Sequence, residues 1–110
     1  MTYAVEITRP AEADVREVVS FLRSRSAAGA AAWRTAFTTA LSRLTSDPTA
    51  LPFAAESSLF AEDVRQLLFK TKSGRKYRAV FVVRGATVYV LRVRAPGQNL
   101  LDVGGIDFPS

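Results

Sequence analysis

The sequence predicts an α+β fold with the element order β-α-α-β-β-β, a two-helix hairpin packed on a small antiparallel sheet. Three observations carry this reading. Apolar residues recur at helical spacing through residues 11–45, in two stretches parted at 26–29. Residues 64–94 hold three short runs rich in β-branched and aromatic residues, divided by Ser73-Gly74 and by Gly85. Connections that short join antiparallel neighbours, since a parallel pair needs a long crossover. At 110 residues and 48% apolar composition the chain fits one domain with an ample core.

The elements follow in order. Tyr3, Val5 and Ile7 alternate with Ala4, Glu6 and Thr8, the pattern of a short strand. Thr8 and Pro10 mark a helix start, and helix 1 is expected over 11–25 with Val15, Val18, Val19 and Leu22 as its buried stripe. Helix 2 is expected over 30–45 on Trp33, Phe37, Ala40, Leu41 and Leu44, and Asp47-Pro48 ends it. The alanines at 27–32 suit a close helix contact. Residues 48–63 lack a period and read as a loop with a helical turn near 58–63. Strands are expected over 64–70, 76–84 and 87–94, and Pro96-Gly97 stops the last. The domain therefore spans 1–95. The Gly-rich tail, 96–110, is either disordered or docked through Leu100, Leu101, Ile106 and Phe108.

Composition removes several chemistries. There is no Cys and no His, so disulfides, thiolate metal sites and His-based general bases are excluded. The acids Glu12, Asp14 and Glu17 fall in the first turns of helix 1, where they complement its dipole. No Gly-rich phosphate loop, carboxylate pair or serine-nucleophile signature occurs. Neither a cofactor nor a metal is implied. No apolar run of membrane-spanning length and no secretory signal pattern is present, so a cytoplasmic protein without membrane partners is expected.

Charge is distributed unevenly. Residues 64–94 carry nine Lys or Arg and no acid, whereas 1–63 carry six bases and eight acids. The basic residues are Arg65, Lys70, Lys72, Arg75, Lys76, Arg78, Arg84, Arg92 and Arg94. Like charges concentrated in one sheet repel, which points to an anionic partner. Lys70, Lys72, Arg75 and Lys76 gather at the Ser73-Gly74 hairpin tip, suited either to an anionic surface or to guarding a strand edge. A turn near Gly85 places Arg78 opposite or diagonal to Arg92, a pairing that calls for an anion between them. Tyr3, Tyr77 and Tyr89 could stack on bases, but strand tyrosines are more often half-buried core.

The opening YAVEITRPAEADVREVVSFL, the proline-bounded linker after helix 2, VRQLLF, KYRAVFVV with its Tyr-Arg pair, and the closing TVYVLRVR together resemble the RelE/ParE superfamily of type II toxin–antitoxin toxins. The resemblance covers roughly residues 3–95. It implies a two-helix hairpin on a curved sheet and a cognate antitoxin, ParD-like or another small DNA-binding protein with a neutralising C-terminal segment. RelE-like members cut mRNA in the ribosome with Lys, Arg and Tyr side chains. Here Arg78 matches one such position, Arg65 approximately another, and Tyr77 completes a conditional catalytic set. Leu67 and Pro96 stand where further basic residues would fall, and no Tyr, Lys, Arg or His follows Arg94. Arginine is a poor proton carrier at neutral pH. The resemblance therefore favours the ParE-like branch, which implies inhibition of DNA gyrase by binding; the alternative is a RelE-like ribosome-dependent mRNA endoribonuclease. Arg65, Lys70, Lys72, Arg75, Lys76, Arg78, Arg92 and Arg94 are the implied contacts to target or antitoxin.

Overall fold

The computed structural model describes residues 2–109; Met1 and Ser110, the outermost residues of the expected domain and tail, lie outside the described residues. The elements are β1 (Ala4–Ile7), α1 (Arg9–Arg23), α2 (Ala27–Arg43), β2 (Arg65–Phe69), β3 (Tyr77–Arg84) and β4 (Thr87–Arg94), with short 3₁₀ turns at Pro48–Ala50, Ala55–Leu59 and Val103–Gly105. This is the expected β-α-α-β-β-β order.

The sheet order is β1-β4-β3-β2. The last three strands form the antiparallel meander read from their short turns. Gly85 turns the chain between β3 and β4 at φ 58°, in the left-handed region where a side chain is strained. β1 adds to the outer edge of β4 in parallel, so the sheet is mixed. The helical hairpin supplies the long crossover that a parallel neighbour needs, and periodicity within β1 carries no information about its partner. β1 covers β4 only as far as Val90. Beyond it the α1 junction satisfies the bare edge. The Thr8 hydroxyl donates to the Val90 carbonyl at 2.9 Å, and the Val93 N–H donates to Asp14 Oδ2 at 2.9 Å.

α1 starts two residues earlier than the apolar stripe indicated, with Pro10 in its first turn, where a missing N–H costs nothing. α2 also starts early, at Ala27. The Ser26 hydroxyl caps it by accepting the Gly29 N–H at 3.0 Å, and exposed alanines hold the first turn without contributing to the periodic stripe.

The sheet buries both faces. On one face the helices cover Leu67, Phe69, Ala79, Phe81, Val88, Val90 and Val93. Trp33 anchors this core, stacked on Phe37 at 5.4 Å and edge-on to Tyr77 at 5.4 Å. On the other face Val64, Val80, Val82 and Leu91 pack against Ala54, Leu101 and Ile106. The tail is thus folded onto the sheet by Leu101 and Ile106, with Phe108 edge-on to Phe60, while Leu100 stays exposed. A register shift between Val80 and Phe81 puts an extra β4 residue, Leu91, toward this second core.

Trp33 is 1% exposed and joins both helices to the sheet. Trp33→Ala is expected to lower unfolding free energy by about 3–5 kcal/mol, read as a drop in the urea midpoint with circular dichroism. Exposed Arg34, one position along α2, provides the contrast: Arg34→Gln should shift it by less than about 0.5 kcal/mol.

Candidate functional site

The basic stretch meets its counter-charges in three dimensions. Arg78 sits on the second face of the sheet, between Leu68 of β2 and Arg94 of β4. Its guanidinium forks onto both carboxylate oxygens of Glu56, with Nη1 to Oε1 at 2.8 Å. Glu56 lies in the 3₁₀ turn at Ala55–Leu59, is 1% exposed, and also accepts the Leu101 N–H at 3.0 Å. Burial works against its charge, but the Arg78 hydrogen bond, the backbone N–H bonds of Leu101 and of Glu56 itself, and the Arg78 charge prevail and hold its pKa at about 2. Loop, central strand and tail are clamped at one carboxylate.

Two further arginines are treated alike. Arg92 lies diagonal to Arg78, one of the two placements the turn at Gly85 allowed. The anion beside it comes from the chain itself. Asp14 of α1 receives Arg92 Nε at 2.7 Å and Nη2 at 3.0 Å, and Arg92 Nη1 donates to the Gly105 carbonyl at 2.8 Å. The Asp14 hydrogen bond raises the Arg92 pKa against the opposing effect of burial, aided by the charges of Asp14, Glu17 and Asp107. Arg84 forks onto Glu62 at 2.9 and 2.5 Å and donates to the Pro109 carbonyl. The Arg84 hydrogen bond keeps the Glu62 carboxyl below its ordinary value despite partial burial.

Arg65 shares the helix-side face with its cross-strand partner Phe81. It donates to the Leu51 carbonyl at 2.6 Å, and its guanidinium lies 4.4 Å from the Phe53 ring centroid. Arg94 donates to the Asn99 carbonyl at 2.7 Å. Its Nε is buried with no hydrogen-bond partner among the described residues. Burial lowers its pKa first, and the charges of Arg92 and Arg78 push the same way.

Lys70, Lys72, Arg75 and Lys76 are all exposed around the Thr71–Gly74 turn, closed by a Gly74 N–H to Thr71 carbonyl bond at 3.2 Å. Among the described residues none of the four is in a salt bridge. They form the one contiguous group of the basic stretch that reaches solvent without an internal carboxylate.

The conditional catalytic set does not converge. Tyr77 turns into the helix-side core against Trp33 and Phe69, while Arg78, the next residue, points to the opposite face. Arg65 lies on the Tyr77 face but four positions along the sheet, about 13 Å away at strand rise. Alternation along β3 separates adjacent residues, so the Tyr-Arg pair in sequence cannot act as a pair at one reacting atom. A cleft of about 550 Å³ opens between the α1–α2 turn and the hairpin tip, lined by Phe21, Leu22, Trp33, Arg75 and Tyr77. It contains Asp14, already committed to Arg92, and no nucleophile–base pair. Among the described residues no group of three or more His, Cys, Asp or Glu side chains assembles as a metal site.

Asp14, Glu56 and Glu62 are the counter-charges that the linear reading missed. Sequence places Asp14 in a helix first turn and the two glutamates in a patternless loop. Their partners lie 78 and 22 residues away. The available signal was indirect: three strand arginines on one sheet face need counter-charges that the strands themselves do not contain.

Fold and site together define a small two-helix, four-strand α+β protein whose exposed chemistry is a basic hairpin on a rigid sheet. The family model described as ParE toxin of type II toxin-antitoxin system, parDE, matches residues 5–100. The chain belongs to this family of type II toxin–antitoxin toxins, and membership implies a cognate antitoxin partner. The comparisons with curated proteins and with solved structures returned no match. No helix of the described residues is long and apolar enough to cross a membrane.

The Glu56 clamp sets the acid response. Because its folded pKa of about 2 lies below the ordinary 4.5, its contribution is fully present above 4.5 and is lost as pH falls toward 2. That contribution is about 3 kcal/mol at neutral pH. Glu56→Gln should cost a similar amount, about 3 kcal/mol, at pH 7 by leaving Arg78 without its carboxylate. Its deficit relative to wild type should shrink between pH 4.5 and 2, as urea titrations at a series of pH values would reveal.

Proposed function

We propose that this chain is a ParE-like toxin that inhibits DNA gyrase by stoichiometric binding and is neutralised by its cognate antitoxin. The observation that carries the reading is the separation of Arg65, Arg78 and Tyr77 over two faces of the sheet, with Arg78 engaged by a buried carboxylate. Ribosome-dependent cleavage of RNA needs groups that give and take protons at one phosphate. A chain with no histidine, and with Tyr77 packed against Trp33, is poorly equipped for that. Binding asks less: a rigid surface with a charge pattern its partner complements. The hairpin-tip bases meet that requirement, with Arg94 extending the surface along the second face of the sheet, while Arg65 lies on the opposite, helix-side face. A gyrase target implies action in the cytoplasm.

Induction in bacteria tests the target. Early loss of DNA replication with translation spared is the expected result; early translational arrest with mRNA cut in the ribosome would overturn the gyrase reading. In vitro, the purified chain should inhibit gyrase supercoiling at near-stoichiometric ratios. The double substitution Arg75→Glu, Lys76→Glu should raise the concentration for half-inhibition roughly tenfold or more, with the effect fading as salt is added.

A further inference from the structure

Resting on the reading that this chain acts through protein partners, we infer that the row Leu68–Arg78–Arg94, continued by Leu100, is a docking strip for a partner segment that presents a carboxylate between two apolar side chains. The row is set by register. Leu68 of β2 lies directly across from Arg78 of β3, which lies directly across from Arg94 of β4. Three neighbouring strands place the outer two Cα positions about 10 Å apart. The tail brings Leu100 alongside, because Asn99 is held by Arg94 and the Leu101 N–H by Glu56. Leu68 is 47% and Leu100 62% exposed, although the residues beside each, Leu67, Phe69 and Leu101, are buried.

Among the described residues Arg94 is the arginine of this face with no acid partner. Arg78, Arg84 and Arg92 each fork onto a carboxylate of the same chain. Among the described residues Arg94 has only the Asn99 carbonyl, its buried Nε has no partner, and two other guanidinium groups stand nearby. The Nε is buried, so an incoming carboxylate meets this guanidinium at its Nη edge, and repulsion from Arg78 and Arg92 makes an anion more favourable there. The flanking leucines decide what carries that anion. A nucleic-acid backbone offers nothing apolar at this spacing, whereas a peptide with hydrophobic residues on both sides of an aspartate or glutamate fills the strip. Exposed Lys70 and Lys76 at the adjoining strand ends favour a further acidic residue beyond it.

The test uses the intact chain and the protein encoded by the reading frame adjacent to its gene, mixed and titrated by calorimetry. Arg94→Gln is expected to weaken the complex roughly tenfold or more, and Arg94→Lys, which keeps the charge without the fork, to weaken it less. Leu68→Ser and Leu100→Ser should each cost about fivefold. Arg34→Gln, on the exposed side of α2, should stay within about twofold. Changing acidic residues of the partner to amides should weaken binding to wild type but add little in the Arg94→Gln background. Thermal melts of each variant separate lost contacts from lost fold. A complex of unchanged affinity with folded Arg94→Gln would overturn the strip while leaving the toxin–antitoxin reading intact. Failure of the neighbouring protein to bind wild type at all would remove both. If Arg94→Gln instead abolishes binding of a short single-stranded oligonucleotide and spares the protein complex, the strip serves a nucleic acid and the inference is wrong.

Discussion

One carboxylate organises the second face of this molecule. Glu56 receives both prongs of the Arg78 guanidinium and the Leu101 N–H, so a loop turn, the central strand and the tail share one anchor. Desolvating a carboxylate is unfavourable, and only excellent geometry compensates. Here that compensation comes from groups the fold had to place anyway. The strand supplies the fork and the tail supplies an N–H that would otherwise be buried without a partner. Without Glu56, Arg78 would be a partly buried cation facing two others, and the tail would lose the bond that fixes Leu101 over Val80, Val82 and Leu91. The irregular segment therefore behaves as a layer of the core. Its carbonyls at Asn99, Gly105 and Pro109 are each taken by a strand arginine, which substitutes side-chain donors for the ladder bonds it lacks.

This changes what the basic stretch means. A run of nine bases without an acid looks like a single anion-binding surface. Folding divides it. Asp14, Glu56 and Glu62 neutralise three arginines from outside the run, and their role is to hold α1, the loop and the tail to the sheet. The field that remains is concentrated at the Thr71–Gly74 hairpin tip and along the neighbouring end of the second face. Charges there act on encounter rates and partner choice more than on folding, since exposed pairs and single surface charges contribute little to stability.

The legible part of the fold was the part governed by local period. α2 was readable because Trp33, Phe37, Ala40 and Leu44 mark one face, and the meander because Ser73-Gly74 and Gly85 leave no room for crossovers. The parallel seating of β1 was not readable, since four alternating residues specify a strand and not its neighbour. The early start of α2 was hidden because exposed alanines contribute no stripe. For the site, the hairpin-tip cluster was visible as adjacent residues. The position of one glycine left Arg78 either opposite or diagonal to Arg92, and the fold takes the diagonal. The partners of those arginines were invisible: Asp14 and Arg92 are joined by helix packing across most of the chain, and Glu56 lies in a loop whose path only the finished core determines.

The same geometry separates holding from cutting in this superfamily's terms. A sheet offers two faces, and successive residues of β3 alternate between them. Tyr77 is spent on the aromatic cluster around Trp33, and Arg78 on Glu56, so neither is free to respond to a substrate's changing charge. The exposed bases of the hairpin tip are ammonium and guanidinium groups. Such groups stabilise a static negative charge well, and a fixed acidic side chain on a partner is a static charge.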